Sequence, residues 1–169
     1  MWSSDPILRR SVILGALALA GCGFTPAYGP GGGAAALRGR IALAPPGDKA
    51  GFDLAARLED RLGAAEAPRF RLDYGIAVNA RGVAITPDGA VTRYNLTGSV
   101  AWTLVDLATG TVRLSGNAES FTSYSATGST VAALAAGEDA VERLMVILAD
   151  QIVTRLIAAA PDLAPAASP

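Results

Sequence analysis

The chain reads as an α+β protein: a two-layer sandwich in which two helices pack on one face of a four-stranded, mostly antiparallel sheet. Three observations predict this. Three runs of about fourteen to seventeen residues alternate apolar with polar between positions 69 and 124, joined by short turns. Two other segments, 48–66 and 130–160, space their apolar residues for a helix. Each alternating run is apolar on one side only, so a single helical layer suffices to cover the sheet. The expected element order is β-α-β-β-β-α.

The elements follow in turn. Residues 37–43 alternate weakly through Leu37, Ile41 and Leu43, a short first strand closed by Pro45-Pro46. Asp48 is suited to cap the helix that follows. Phe52, Ala55, Leu58 and Leu62 form its apolar stripe, with Arg57, Glu59, Asp60 and Arg61 on the wet side, and Pro68 ends the segment. In the first long strand Phe70, Leu72, Tyr74, Ile76, Val78 and Ala80 point one way, and Arg71, Asp73, Asn79 and Arg81 the other. Thr86-Pro87-Asp88-Gly89 predicts a turn, because proline presets φ and glycine accepts a positive one.

The second long strand places Tyr94, Leu96, Gly98, Val100, Trp102 and Leu104 on the apolar face. Its polar face carries Arg93, Asn95, Thr97, Ser99 and Thr103. After a short loop at Ala108-Thr109-Gly110, the returning strand turns Val112, Leu114 and Ala118 inward, and a bulge is expected near Ser120-Phe121. The last helix, 130–160, carries the stripe Val141, Leu144, Met145, Leu148, Ile152 and Leu156, with Gly137 as a potential break and Pro161 closing it.

Composition removes whole classes of function. Of 169 residues none is His and one is Cys. That excludes a Ser-His-Asp triad, a Cys-His pair, a His-ligated metal and a thiolate cluster. A net charge of −1 offers no cationic field for nucleic acid. Carboxylate catalysis needs acids converging in a pocket. Glu59 with Asp60, and Glu138 with Asp139 and Glu142, are near one another only along helices, where they suit a solvated face. Lys49, the one lysine, has no Ser at the spacing of a dyad. Gly29 to Gly33 is glycine-rich but lacks the Lys-Ser/Thr of a phosphate loop. Neither an enzyme nor a cofactor or metal site is expected.

The N-terminus carries an address. Arg9-Arg10 precede an apolar run, Val12 to Ala20. That is a basic region followed by the short apolar core of a secretory leader, about half the ~20 residues that span a bilayer. Export by the general or the twin-arginine route is left open by the pair of arginines. Leu19-Ala20-Gly21-Cys22 resembles the bacterial lipobox. The resemblance implies cleavage before Cys22, a diacylglycerol thioether on its sulfur and an acylated new N-terminus. Several acyl chains, at about 0.8 kcal/mol per buried methylene, make a permanent anchor. Gly23 stands where an Asp would resemble an inner-membrane retention signal, which favours the outer membrane. Removing Arg9, Arg10 and Asp5 with the leader leaves twelve basic and fourteen acidic residues. The expected organisation is a signal peptide, 1–21; a lipidated flexible tether, 22–36; one α+β domain, 37–160; and a loose tail, 161–169.

The stretch Gly21-Cys22-Gly23-Phe24-Thr25-Pro26-Ala27-Tyr28-Gly29 resembles the mature start of alphaproteobacterial members of the LptE lipopolysaccharide-assembly family. So do the Pro-Asp-Gly turn leading into Thr92-Arg93-Tyr94-Asn95-Leu96, and Ala133-Leu134-Ala135 before the final helix. The resemblance implies a lipid-anchored protein on the periplasmic side of the outer membrane. It would plug and help assemble the LptD β-barrel and help deliver lipopolysaccharide to the outer leaflet, with no covalent chemistry.

A lipid phosphate would need cations, and neither the 86–90 turn nor residues 125–137 has one. Arg81 and Arg93, on the flanking strands, are the nearest candidates for contact with lipopolysaccharide or barrel; strand solubility is their plainer role. The polar sheet face suits either another protein's wall or water. Two further readings stay open: an auxiliary lipoprotein of a lipid-trafficking ABC system, and a periplasmic hydrolase built on carboxylates.

Overall fold

The computed structural model describes Gly29 and residues 32–163. The leader, the lipobox with Cys22 and the last six residues lie outside them. Seven elements follow in order: α1 (Gly33–Leu37), β1 (Ile41–Leu43), α2 (Lys49–Leu62), β2 (Phe70–Ile85), β3 (Val91–Asp106), β4 (Val112–Ser125) and α3 (Thr130–Leu163). One sheet runs in the order β1-β2-β3-β4. β1 lies parallel to β2 across the α2 crossover, and the other pairs are antiparallel. The α+β sandwich with a mostly antiparallel four-stranded sheet is thus the observed architecture.

At the N-terminal side the structure departs from expectation. The end of the Gly/Pro/Ala segment is helical, and the strand expected over 37–43 shrinks to Ile41–Leu43. The reason lies on α3. Ala34 and Leu37 are buried, and Gly33 lies so close to α3 that a Cβ there would stand 2.6 Å from the Ile157 carbonyl oxygen. That carbonyl is the one Pro161 leaves without its usual i→i−4 N–H partner. Pro161 itself lies inside the helix, which runs on to Leu163 rather than ending at Ala160. In a last turn the missing N–H costs a single bond, and the buried Leu163 holds the turn down. Gly137 does not break the helix either.

In α2, Asp48 caps as expected, its side chain accepting from the Gly51 N–H at 2.7 Å. The buried stripe is Gly51, Leu54, Ala55, Leu58 and Leu62. Phe52, expected on that stripe, is 63% exposed. The orientation is set by α3: Arg57 grips Asp150 with two bonds of 3.1 and 3.0 Å, and Arg61 adds a third of 2.9 Å. Turning Phe52 inward would swing these arginines off Asp150.

The three long strands pair in continuous register. β2 and β3 match from Phe70↔Asp106 to Gly82↔Tyr94, then slip around Val83 before the turn. In that turn the Thr86 N–H donates to the Ala90 carbonyl (2.9 Å), and Gly89 takes φ +86°. β3 and β4 match without interruption from Arg93↔Ser125 to Leu104↔Leu114. The bulge expected at Ser120-Phe121 is therefore absent. It falls instead at the other end, between Leu114 and Val112, and it turns Val112 outward to 60% exposure. There it lets Arg113 reach the Asp162 carbonyl (3.1 Å) and approach the buried Asp106 (3.9 Å).

The core fills the space between the sheet's apolar face and the helices. Phe70, Leu72, Val100, Trp102 and Leu104 meet Leu144, Leu148, Ile152 and Leu156 of α3 and Leu54 and Leu58 of α2. Burying each such side chain is worth roughly 1.5–3 kcal/mol. Gly98 has a packing reason: a Cβ there would lie 2.8 Å from Leu144 Cδ2, so glycine lets α3 approach β3. By length and composition α3 could cross a membrane. In this fold its apolar stripe is covered by the sheet and α2.

Candidate interaction surface

Among the described residues no helix covers the outer face of the sheet. Its central rows run Asp73-Thr103-Ser115, Gly75-Ala101-Asn117, Ala77-Ser99-Glu119 and Asn79-Thr97-Phe121 across β2, β3 and β4. The alternation of each strand dictates this: the residues between the core-facing ones are, Phe121 apart, small or polar in these rows. The small side chains leave a shallow open depression of about 510 Å³ bordered by Asp73, Gly75, Ala101, Thr103 and Ser115. The acids of this face have partners. Asp73 takes two bonds from Arg71 (2.8 and 3.0 Å), and Glu119 accepts from Asn117 (2.6 Å).

Arg81 and Arg93 lie on this face near the hairpin turn, both exposed. Arg81 stands opposite Asn95, and Arg93 is the next residue of β3 on the same side. The two are therefore diagonal neighbours, about 7–8 Å apart at the backbone. Neither forms an ion pair or side-chain hydrogen bond among the described residues. Arg57, Arg61, Arg69, Arg71, Arg113 and Arg143 each pair with a carboxylate. Thus the structure brings both candidate arginines together and leaves them uncompensated, while the other candidate, Cys22, lies outside the described residues.

The carboxylates weighed for acid-base work do not converge. Asp60 pairs with Arg57 and Asp139 with Arg143, along their own helices. Among the described residues no three metal-ligating side chains come together. Lys49 is held above its ordinary amine value by its hydrogen bond to Asp53 (2.9 Å), so it stays an ammonium rather than a free base.

A second surface was not foreseen. Near the start of α3, Val131 and Leu134 are exposed, Leu134 to 66%. Leu134 borders a groove of about 260 Å³ with Leu96, Tyr124, Ala133, Gly137 and Val141. Tyr94 and Tyr124 stack beneath it, 5.3 Å between ring centres and 14° between planes. Phe121, Val83 and Ile85 are exposed on the same end, Phe121 to 74%. A signal for Phe121 was present in the sequence: counted from the inward Ala118, strict alternation puts an aromatic on the polar face, which reads as an irregular register unless the phase is trusted.

Among curated proteins, none matches this chain. Solved structures do. A Caulobacter crescentus protein described as a lipoprotein is 25% identical, with a TM-score of 0.66 over 79% of this chain and 98% of its own. Rare lipoprotein B from Shewanella oneidensis shares 16% identity and a TM-score of 0.56, over 73% of this chain and 96% of its own. A minor lipoprotein from Acinetobacter baumannii shares 18%, with a TM-score of 0.51 over 77% and 95%. The last two show the common fold. The profile of the LptE family, described as lipopolysaccharide-assembly, matches residues 39–156, which runs from just before β1 into the last third of α3. By that match, covering well over half its length, the chain belongs to the LptE lipopolysaccharide-assembly family.

Proposed function

We propose that this protein is an outer-membrane lipoprotein, anchored through Cys22, that seats inside an LptD-type β-barrel, assists its assembly and takes part in lipopolysaccharide delivery as a binding module without covalent chemistry. The observation that carries the reading is a sheet face of mostly small and polar side chains that no described element covers, in a chain of this family. A wide barrel presents a polar lumen, and a rigid, weakly charged filler fits it.

The geometry gives the filler two ends. Gly33 rests against Ile157 and Ala160 near the C-terminus of α3, whereas the hairpin turn lies beyond the opposite end of the sheet from β1. Cys22 precedes Gly33 by eleven residues, a reach of at most about 40 Å. The anchor thus holds one end, and the hairpin with Arg81, Arg93 and the exposed apolar groups is the other. Two uncompensated guanidiniums side by side suit a phosphate or a carboxylate.

The test is recovery of tagged full-length protein from membranes in mild detergent. A barrel of roughly 80 kDa, the size of a many-stranded outer-membrane protein, should come with it. If none does, the reading falls. Recovery of inner-membrane transport components instead would favour the ABC-auxiliary role. Arg81→Glu with Arg93→Glu separates the two contacts. Loss of bound lipopolysaccharide with the barrel retained assigns the pair to lipid, and loss of the barrel assigns it to the wall.

A further inference from the structure

The two long edges of the sheet are treated differently. Along β4 the ladder to β3 uses even-numbered residues, as the bond from the Ala126 N–H to the Thr92 carbonyl shows (2.9 Å). Odd-numbered residues therefore face the free edge. Two of their carbonyls are taken by α3: Asn117 by Arg155, and Glu119 by Gln151 at 3.1 Å. Helix side chains thus block the middle of that edge.

The other edge is left open. β1 covers β2 only from Phe70 to Leu72. The Phe70 N–H donates to the Arg40 carbonyl (3.0 Å), and the Leu72 carbonyl accepts from the Ala44 N–H (3.0 Å). Even-numbered residues of β2 therefore face outward, and alternation extends this to Ile76, Val78 and Ala80. Among the described residues nothing pairs with their main-chain groups. Residues 75–81 hold neither proline nor lysine nor an acid, with Arg81 the one charge, and the register slip that could twist the edge away comes only beyond them, at 82–85. On the helix side, Ile76 is only half-buried and Val78 is exposed.

We propose that this open edge of β2, Ile76 to Ala80, receives an extended segment of the barrel protein as a fifth strand. The proposal rests on the barrel-seating reading above. Unpaired amides and carbonyls in a row are satisfied by another main chain, which makes strand addition the matching mode of recognition. The barrel wall has no free edge of its own, because its strands pair with one another, so the segment is a loop or lumenal stretch. Its pattern follows from the edge: apolar side chains toward Ile76 and Val78, small or polar ones beside Ala77 and Asn79, and a carboxylate within reach of Arg81. A second copy of this chain fits less well. It would bring another arginine and no acid, and so short a pairing would bury on the order of a few hundred Å², below the ~1,200 Å² of a stable interface.

Val78→Pro tests this in the lipidated full-length chain expressed with its barrel. Val78 points its N–H away from β3, so proline removes an edge donor and leaves the β2–β3 ladder whole. Barrel recovery should drop about tenfold, the effect of losing little more than one well-made bond. The melting temperature of the chain alone should stay near wild type. Photo-crosslinkers in place of Ala80 and, separately, Ser99 supply the second arm. A crosslink from position 80 to a barrel loop peptide supports the proposal, and decides it alone should Val78→Pro melt well below wild type. Capture of the barrel from position 99 but never from 80, with recovery unmoved by Val78→Pro, overturns the edge and leaves the seating intact. A crosslink from 80 to a second copy overturns it in favour of self-pairing. Absence of any barrel from the wild-type preparation removes the seating reading itself.

Discussion

The same three long strands make two different halves. Near β1, between Phe70 and Leu72 on β2 and its neighbours, the inner face is dry, and the acids packed beside it are paired. Asp106, 3% exposed, lies 3.6 Å from Arg69 and 3.9 Å from Arg113, and Asp150 binds both Arg57 and Arg61. Toward the hairpin turn the strands continue, but α2 does not follow them. Val78, Ile85, Val131 and Leu134 stay in water, and among the described residues Arg81 and Arg93 have no counter-ion and the edge of β2 beyond β1 has no partner. The first half is what a domain needs in order to fold. The second carries features that cost solubility and bring no internal contact, which is the pattern of surface kept for another molecule.

The sharpest way to break this contrast is to truncate one leucine in each half. Leu156→Ala, fully buried, should cost about 2–5 kcal/mol in denaturant unfolding. Leu134→Ala should stay within about 0.5 kcal/mol and weaken barrel recovery instead. Equal losses of stability would erase the division. Next in size, Asp106→Ala leaves two arginines and the Ala108 N–H (3.0 Å from its carboxylate) without their acceptor, and should cost about 1–3 kcal/mol.

A smaller effect tests the seam between β1 and β2. The Tyr74 hydroxyl donates to the Ala44 carbonyl at 3.0 Å, and burial raises its pKa above the ordinary 10.0. A raised value on an acid means that folding favours the neutral phenol. The stabilisation is therefore whole below pH 10 and is lost as pH rises through the folded value. Tyr74→Phe should cost about 1 kcal/mol at neutral pH and flatten the alkaline loss seen in unfolding titrations.

The least effect belongs to the hairpin turn. Asp88 is fully exposed, and its hydrogen bond with Thr86 holds its pKa below the ordinary 3.8. Its contribution is present above that value and disappears as pH falls through the lower, folded one. Acidification should lower the amide protection at residues 86–90, each rate taken relative to the unfolded chain at the same pH, while the melting temperature hardly moves. A coupled drop in global stability would mean that the hairpin end is part of the folding core after all.

Much of this was legible in the residues. Alternation located three strands to within a residue or two, Asp48 announced the start of α2, and Pro87 and Gly89 announced the turn. Where reading failed, a distant residue decided. Phe52 and Leu54 are equally apolar, and only Asp150, far along the chain, determines which turns inward. Val112 keeps a perfect period of two with Leu114, yet the pull of Arg113 toward Asp106 and Asp162 inserts a bulge between them. Phe121 broke the pattern of hydrophobicity without breaking the register, because an aromatic on an open face costs the fold little.

Local order, then, was set by neighbours in sequence: periodicity, caps and turn chemistry act over a few residues and are written there in full. Coverage was not. Whether an edge is blocked, an arginine compensated or a sheet face roofed depends on where α3 runs relative to strands up to a hundred residues earlier. Only packing of the assembled chain places Arg155 on one edge and leaves the other, beyond β1, without a partner among the described residues.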